Sequence, residues 1–228
     1  AILVSAVNGI SVGAEKAWDA AVKAGVGRMF VVNQMDRDHA DFLKVFEQLR
    51  EKYGNSVVPV MLPIGNGPDF KGIVNILDNK AFERTGKTPK EIPVPASMSD
   101  AIAKALEELT EAAASADDAL TEKYFDEGTL SHEDTLEGFK LGMIHGNIVP
   151  VIPCSALTGL GVSKLLDIMA DYLPSPKRGV HEGIDPRSGE TISRACKVEE
   201  PLSALVYKTI ADPFVGKLSL SRVMSCTM

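Results

Sequence analysis

Two short apolar runs near the start, residues 2–7 and 29–32, constrain what this chain can fold into more than any other feature. Neither alternates polar with apolar residues, so each reads as a strand covered on both faces, as in a parallel sheet. Between them Ala14, Ala17, Trp18, Ala21 and Val22 recur at helical spacing, and Gly25 closes the helix. Trp18 is expected to pack on the core or half-buried. A right-handed crossover makes the two strands parallel neighbours. Such sheets bind ligands beyond the carboxyl ends of their strands, so the polar residues after Val32 are where chemistry is expected first.

Those residues are Asn33-Gln34-Met35-Asp36. An Asn carboxamide both donates and accepts, and an Asp carboxylate only accepts. Together they can tell guanine from adenine, because donors and acceptors are exchanged between the two bases. The tetrapeptide has the form of the guanine-reading loop of GTP-binding proteins. A second polar loop, Ser155-Ala156-Leu157, ends another apolar run at 147–154. It resembles the Ser-Ala loop of Ras-like folds, in which the Ala N–H meets guanine O6 and the Ser supports the Asn-Asp loop. The candidate guanine-binding residues are therefore Asn33, Gln34, Asp36, Ser155, Ala156 and Leu157. On the motif alone a plainer alternative stays open, since Asx residues favour capped turns before helices and Ser155 can be an ordinary turn residue.

About 120 residues separate the two loops. A compact domain does not carry so long a structureless connection, and an inserted subdomain is inferred. Phe42, Val45, Phe46 and Leu49 mark an amphipathic helix ending near Gly54. Residues 57–64, 72–77 and 80–84 read as short strands between Gly-, Pro- and Asn-rich turns, and 85–96 as a connection. Helices are predicted over 99–114, 117–125 and 131–145, with capping-box spacing at Ser97/Asp100 and Ser131/Asp134. A helix from Val162 carries Leu165, Leu166, Met169 and Leu173 on one face and is stopped by Pro174 and Pro176. Residues 180–201 read as a polar linker, and 202–210 and 218–224 as antiparallel strands. Because the chain opens inside a strand and stops soon after another, it is expected to be a piece of a longer protein.

Net charge is −7, which argues against non-specific attachment to nucleic acid and leaves no expectation of sequence-specific binding to it. Lys177-Arg178, the one adjacent basic pair, is expected to be solvated surface, as are the acidic pairs Glu107-Glu108 and Asp117-Asp118. No apolar run is long enough to cross a bilayer, and no membrane partner is expected. Cys154, Cys196 and Cys226 are far apart and odd in number, which suggests free thiols in a reducing cytosol. None of His39, His132, His145 and His181 has metal-site spacing, and no metal ligand is assigned. His39 is expected on the surface at a helix start.

Several stretches together resemble elongation factor G, a translational GTPase family whose members carry an insertion between the two base loops. They are Asn33-Gln34-Met35-Asp36 with Ala40-Asp41-Phe42, Leu62-Pro63-Ile64-Gly65, Phe70-Lys71-Gly72-Ile73-Val74, Glu122-Lys123-Tyr124, Tyr172-Leu173-Pro174-Ser175-Pro176, and residues 212–218. The resemblance implies an α/β fold: a partial P-loop-GTPase-type parallel sheet with helices on both faces (1–55 and 147–178), an inserted α+β subdomain (56–146), and a linker with the first strands of a β-barrel domain (179–228). It further implies GTP or GDP as ligand, Mg2+ in the parent, a ribosomal partner and a cytoplasmic setting. No G-x-x-x-x-G-K-[ST] occurs in the sequence. Without it nothing here cradles the phosphates or holds Mg2+, so no catalytic residue is assigned and the piece is expected not to hydrolyse GTP. Gln34 stands where the family usually has Lys, a change that keeps base identity and weakens affinity by about 1.5–3 kcal/mol at most; with the loop Leu157-Thr158-Gly159-Leu160-Gly161 it points to a paralogue.

Two other functions compete with this one. The inserted subdomain could serve as a ribosome- or stalk-interaction module with no nucleotide involved, or the chain could belong to a related ribosome-protection GTPase. An unrelated flavodoxin-like domain would require the matching stretches to be coincidence.

Overall fold

The computed structural model describes residues 1–85, 88–175 and 179–227 and divides into two compact units, Ala1–Leu173 and the remainder from Pro174. Lys177-Arg178 and Pro176 lie outside the described residues.

In the first unit, strand β1 (Ile2–Ser5) leads through helix α1 (Val12–Lys23) to β2 (Phe30–Asn33), and the two strands pair in parallel. Ser11 caps α1 by accepting from the Ala14 N–H. Helix α2 (Phe42–Tyr53) buries Phe42, Val45, Phe46 and Leu49, the stripe its spacing predicts, and Asp41 caps it through the Lys44 N–H. The chain then forms β3 (Val57–Pro59), β4 (Met61–Ile64), β5 (Gly72–Asn75), β6 (Lys80–Thr85) and β7 (Thr88–Ile92). Helices α3 (Ser99–Ala114), α4 (Asp118–Glu127) and α5 (His132–His145) follow, then β8 (Val149–Pro153) and α6 (Val162–Tyr172). A parallel sheet runs in the order β1-β2-β8-β3, and an antiparallel meander in the order β4-β5-β6-β7.

Residues 57–64, which read as one strand, are two. Val60 joins them, donating to Val151 O at 3.3 Å on the parallel side and accepting from the Ile76 N–H at 3.0 Å on the other. Val57, Val58, Met61 and Leu62 on either side are all buried, so hydropathy gives no sign of the change of sheet. Residues 85–96 are more than a connection, because β7 pairs with β6 there. The helix over 99–114 forms, but Ser97 does not cap it. Ser97 sits in a short 3-10 turn, and no side chain caps α3. Ser131 does cap α5, accepting from the Asp134 N–H at 3.1 Å. Glu108 is no solvated face residue, since it pairs with Arg50 at 2.7 Å and ties α3 to α2. Asp117 caps α4.

The core is continuous from the parallel sheet into the elements between β3 and β8. Trp18 is partly buried against it, 5.4 Å from the Phe30 ring and 4.2 Å from the Tyr53 ring. Arg28 lies 4.6 Å over the indole and donates to Gly146 O at 2.6 Å, which fastens the end of α5 to β2. Helices α3 and α5 meet at Gly138, where an added Cβ would lie 2.4 Å from Ala113 O.

In the second unit, β9 (Val180–Ile184) pairs with β10 (Thr191–Ala195), and β11 (Ser203–Asp212) with β12 (Gly216–Ser225), both antiparallel. The second hairpin is the one expected. The first occupies the stretch read as a linker, and its mostly exposed strands lack the apolar alternation that would have revealed it. Asp212 holds the β11–β12 turn by accepting from the Phe214 and Val215 N–H groups at 2.8 and 2.9 Å. Cys154, Cys196 and Cys226 are free. Among the described residues no helix is long and apolar enough to cross a membrane.

At an open helix position Gly to Ala gains about 1 kcal/mol. At Gly138 the contact with Ala113 should reverse the sign, and Gly138→Ala should cost a net ~1–2 kcal/mol. Thermal unfolding followed by circular dichroism would show a Tm lowered by a few degrees.

Candidate functional site

β1, β2 and β8 end side by side, with Ser5 opposite Asn33 and Val32 opposite Pro153. Two loops rise from that edge. The first is anchored by Met35, whose side chain is fully buried, whose N–H donates to Cys154 O at 3.2 Å and whose carbonyl accepts from the Gly67 N–H at 2.9 Å. Gln34, before it, has φ 70, in the left-handed region that residues with a Cβ rarely enter. This backbone turn, closed by the Arg37 N–H on Gln34 O at 3.0 Å, keeps Asn33, Gln34 and Asp36 half-buried at the edge.

The second loop is held from within. Ser155 is fully buried, and its Oγ accepts from the Thr158 N–H at 3.1 Å. Its carbonyl accepts from the Gly159 N–H at 2.7 Å, and its N–H donates to Leu160 O at 3.0 Å. Gly161 follows with φ 82, and a Cβ there would lie 2.6 Å from Pro153 O, so only glycine lets the loop return this tightly to α6. Through these bonds Ser155 braces its own loop.

The tie between the loops is made instead by Ala156, whose N–H donates to Asn33 Oδ1 at 2.9 Å across 123 residues of sequence. Asn33, Gln34, Asp36, Ser155 and Ala156 therefore gather at one edge, while Leu157 projects beyond it, 83% exposed. Of the plainer alternative, the capping half does not hold, since the cap of α2 is Asp41, whereas Ser155 does serve its own turn. His39 is exposed two residues before that cap.

Two residues that sequence reasoning passed over belong to the same edge. Ser5 Oγ donates to Gln34 Oε1 at 2.7 Å, and Cys154 Sγ lies 3.7 Å from Asn33 Oδ1. Burial, and secondarily the negative charge of Asp36, pushes the Cys154 thiol up to about 11. Only their position as the last residues before each turn could have drawn notice.

In chemical terms the edge offers a carboxylate acceptor (Asp36), two carboxamide NH2 groups (Asn33, Gln34) and a backbone N–H (Ala156). A ligand carbonyl approaching that N–H must share it with Asn33 Oδ1. This is the donor and acceptor pattern complementary to a purine with a carbonyl, a ring N–H and an amino group.

A crystal structure from Thermus thermophilus superposes with a TM-score of 0.80 at 29% sequence identity, covering 98% of this chain and 31% of the other. The chain thus spans about a third of the length of the structure it matches. Residues 1–175 match the family model of the elongation factor Tu GTP-binding domain, and the chain belongs to that family.

Proposed function

We propose that this chain supplies guanine recognition to an elongation factor G-type translational GTPase, a cytoplasmic enzyme that acts on the ribosome as it hydrolyses GTP. The observation that carries the reading is the 2.9 Å contact of Asn33 Oδ1 with the Ala156 N–H, because it brings both base loops to one rim. In the complex Asp36 accepts from the guanine ring N–H and amino group, the Asn33 NH2 donates to the ring, and the Ala156 N–H meets O6. Ser155 keeps the second loop in shape. Gln34 and Leu157 flank the base. The stretches shared with elongation factor G, which run from the base loop to the β11–β12 turn, support that branch of the family.

With no phosphate-loop motif in the sequence, hydrolysis and Mg2+ belong to the parent rather than to these residues. Base contacts alone are expected to bind weakly, at millimolar concentrations or above.

Titration monitored by NMR should show GDP perturbing Asn33, Asp36 and Ala156 resonances, with ADP producing no matching response; equal responses to the two would refute the base reading. Asp36→Ala removes a charge-assisted acceptor and should weaken GDP binding by about 1.5–3 kcal/mol, roughly ten- to a hundredfold. Asp36→Asn turns one acceptor into a donor, so preference should move toward xanthosine diphosphate, which carries a carbonyl in place of the amino group. Incubated with GTP and Mg2+, the chain should release no more phosphate than a protein-free blank.

A further inference from the structure

We infer that Ser5 and Cys154, at the ends of the strands on either side of β2, are positioning residues that aim the Gln34 and Asn33 carboxamides at the ligand. The inference rests on the guanine reading above and concerns residues to which that reading gives no part.

The case begins with the hydroxyl of Ser5. It accepts from the Val7 N–H at 3.3 Å and the Asn8 N–H at 3.2 Å, which occupies both of its lone pairs. Its single hydrogen is then left for Gln34 Oε1 at 2.7 Å. A donor at that place can be met only by the carboxamide oxygen, so the Gln34 NH2 group must point away from β1.

The same logic holds on the other side. The Ala156 N–H at 2.9 Å requires an acceptor and so draws Asn33 Oδ1 toward β8. The Cys154 thiol, 3.7 Å from the same oxygen, adds a second donor. Burial, together with Asp36, holds its ionisation up to about 11, so at neutral pH it remains an S–H and can donate. Among the described residues neither NH2 group has a protein partner. The sheet order β1-β2-β8 explains the arrangement, since each neighbour of β2 presents one small donor to one of two consecutive amides.

The consequence for recognition is that both donors are neutral and already oriented before ligand arrives. A lysine at position 34 would bring a charge whose contact weakens with salt; the Gln34 contact should be nearly independent of ionic strength.

The test uses the 15N-labelled chain, the side-chain amide resonances of Asn33 and Gln34, and GDP as probe. Ser5→Ala should shift the Gln34 amide pair in the free protein and weaken GDP roughly two- to tenfold, while Ser5→Thr restores both. Cys154→Ala should act in the same way on the Asn33 pair, with Cys154→Ser restoring it. Because Ser5 also supports the following turn, Gln34→Ala provides the second arm. Adding Ser5→Ala in that background should cost GDP nothing further if Ser5 acts through Gln34. Full additivity, a Thr variant as weak as the Ala variant, or an unmoved Gln34 amide pair would each overturn the proposal. Preference for GDP over ADP should survive in every Ser5 and Cys154 variant, since Asp36 sets it. If the unaltered chain binds GDP and ADP alike, the base reading fails by itself, and the ligand-free amide spectra still decide whether Ser5 and Cys154 position the carboxamides.

Discussion

Everything at the rim depends on β8 lying against β2, although the two strands are far apart in the chain. Phe30 and Val32 on β2, and Val149, Val151 and Ile152 on β8, are all buried, so pairing takes apolar surface out of water on both faces of the sheet. The register is as consequential as the pairing. A slip of one residue would displace β8 by about 3.3 Å along the sheet, more than a hydrogen bond tolerates. The contact from Ala156 to Asn33 would be lost with it.

The long stretch between β3 and β8 does not hang from the sheet as a loop. Its elements extend the sheet's core, with Leu109, Phe139 and Met143 buried in the same cluster as Val57 and Val149. Arg28, stacked on Trp18, reaches Gly146 just before β8, and Arg50 reaches Glu108 on α3, so this stretch is fastened at two points by guanidinium groups. The charged partners are the ones composition alone assigns to solvent.

Much of this could be read from residue order, for reasons that differ by element. Helices α3, α5 and α6 have apolar residues at helical spacing and clear stops, and their spans were legible to within a residue or so. The junction at Val60 was not, because a buried residue in a parallel sheet and one in an antiparallel sheet look alike to hydropathy. Strands β7 and β9 were hidden by Pro, Lys and Gly content, which marks turns more often than edges. At the sheet edge, Asn33 and Asp36 stood out as polar residues ending an apolar run, and Ala156 through the resemblance of its loop to the Ser-Ala loop. Ser5 and Cys154 did not, since a small side chain acquires its role only from neighbours across a sheet.

The bond from the Gly67 N–H to Met35 O reaches further than its 2.9 Å. It joins a turn between β4 and β5 to the backbone of the Asn33–Asp36 tetrapeptide. Val60 makes a second such rivet a short way along. Tetrapeptide and meander are consequently joined backbone to backbone, so the shape of the Asn33–Asp36 turn is set partly by residues more than thirty positions further along the chain.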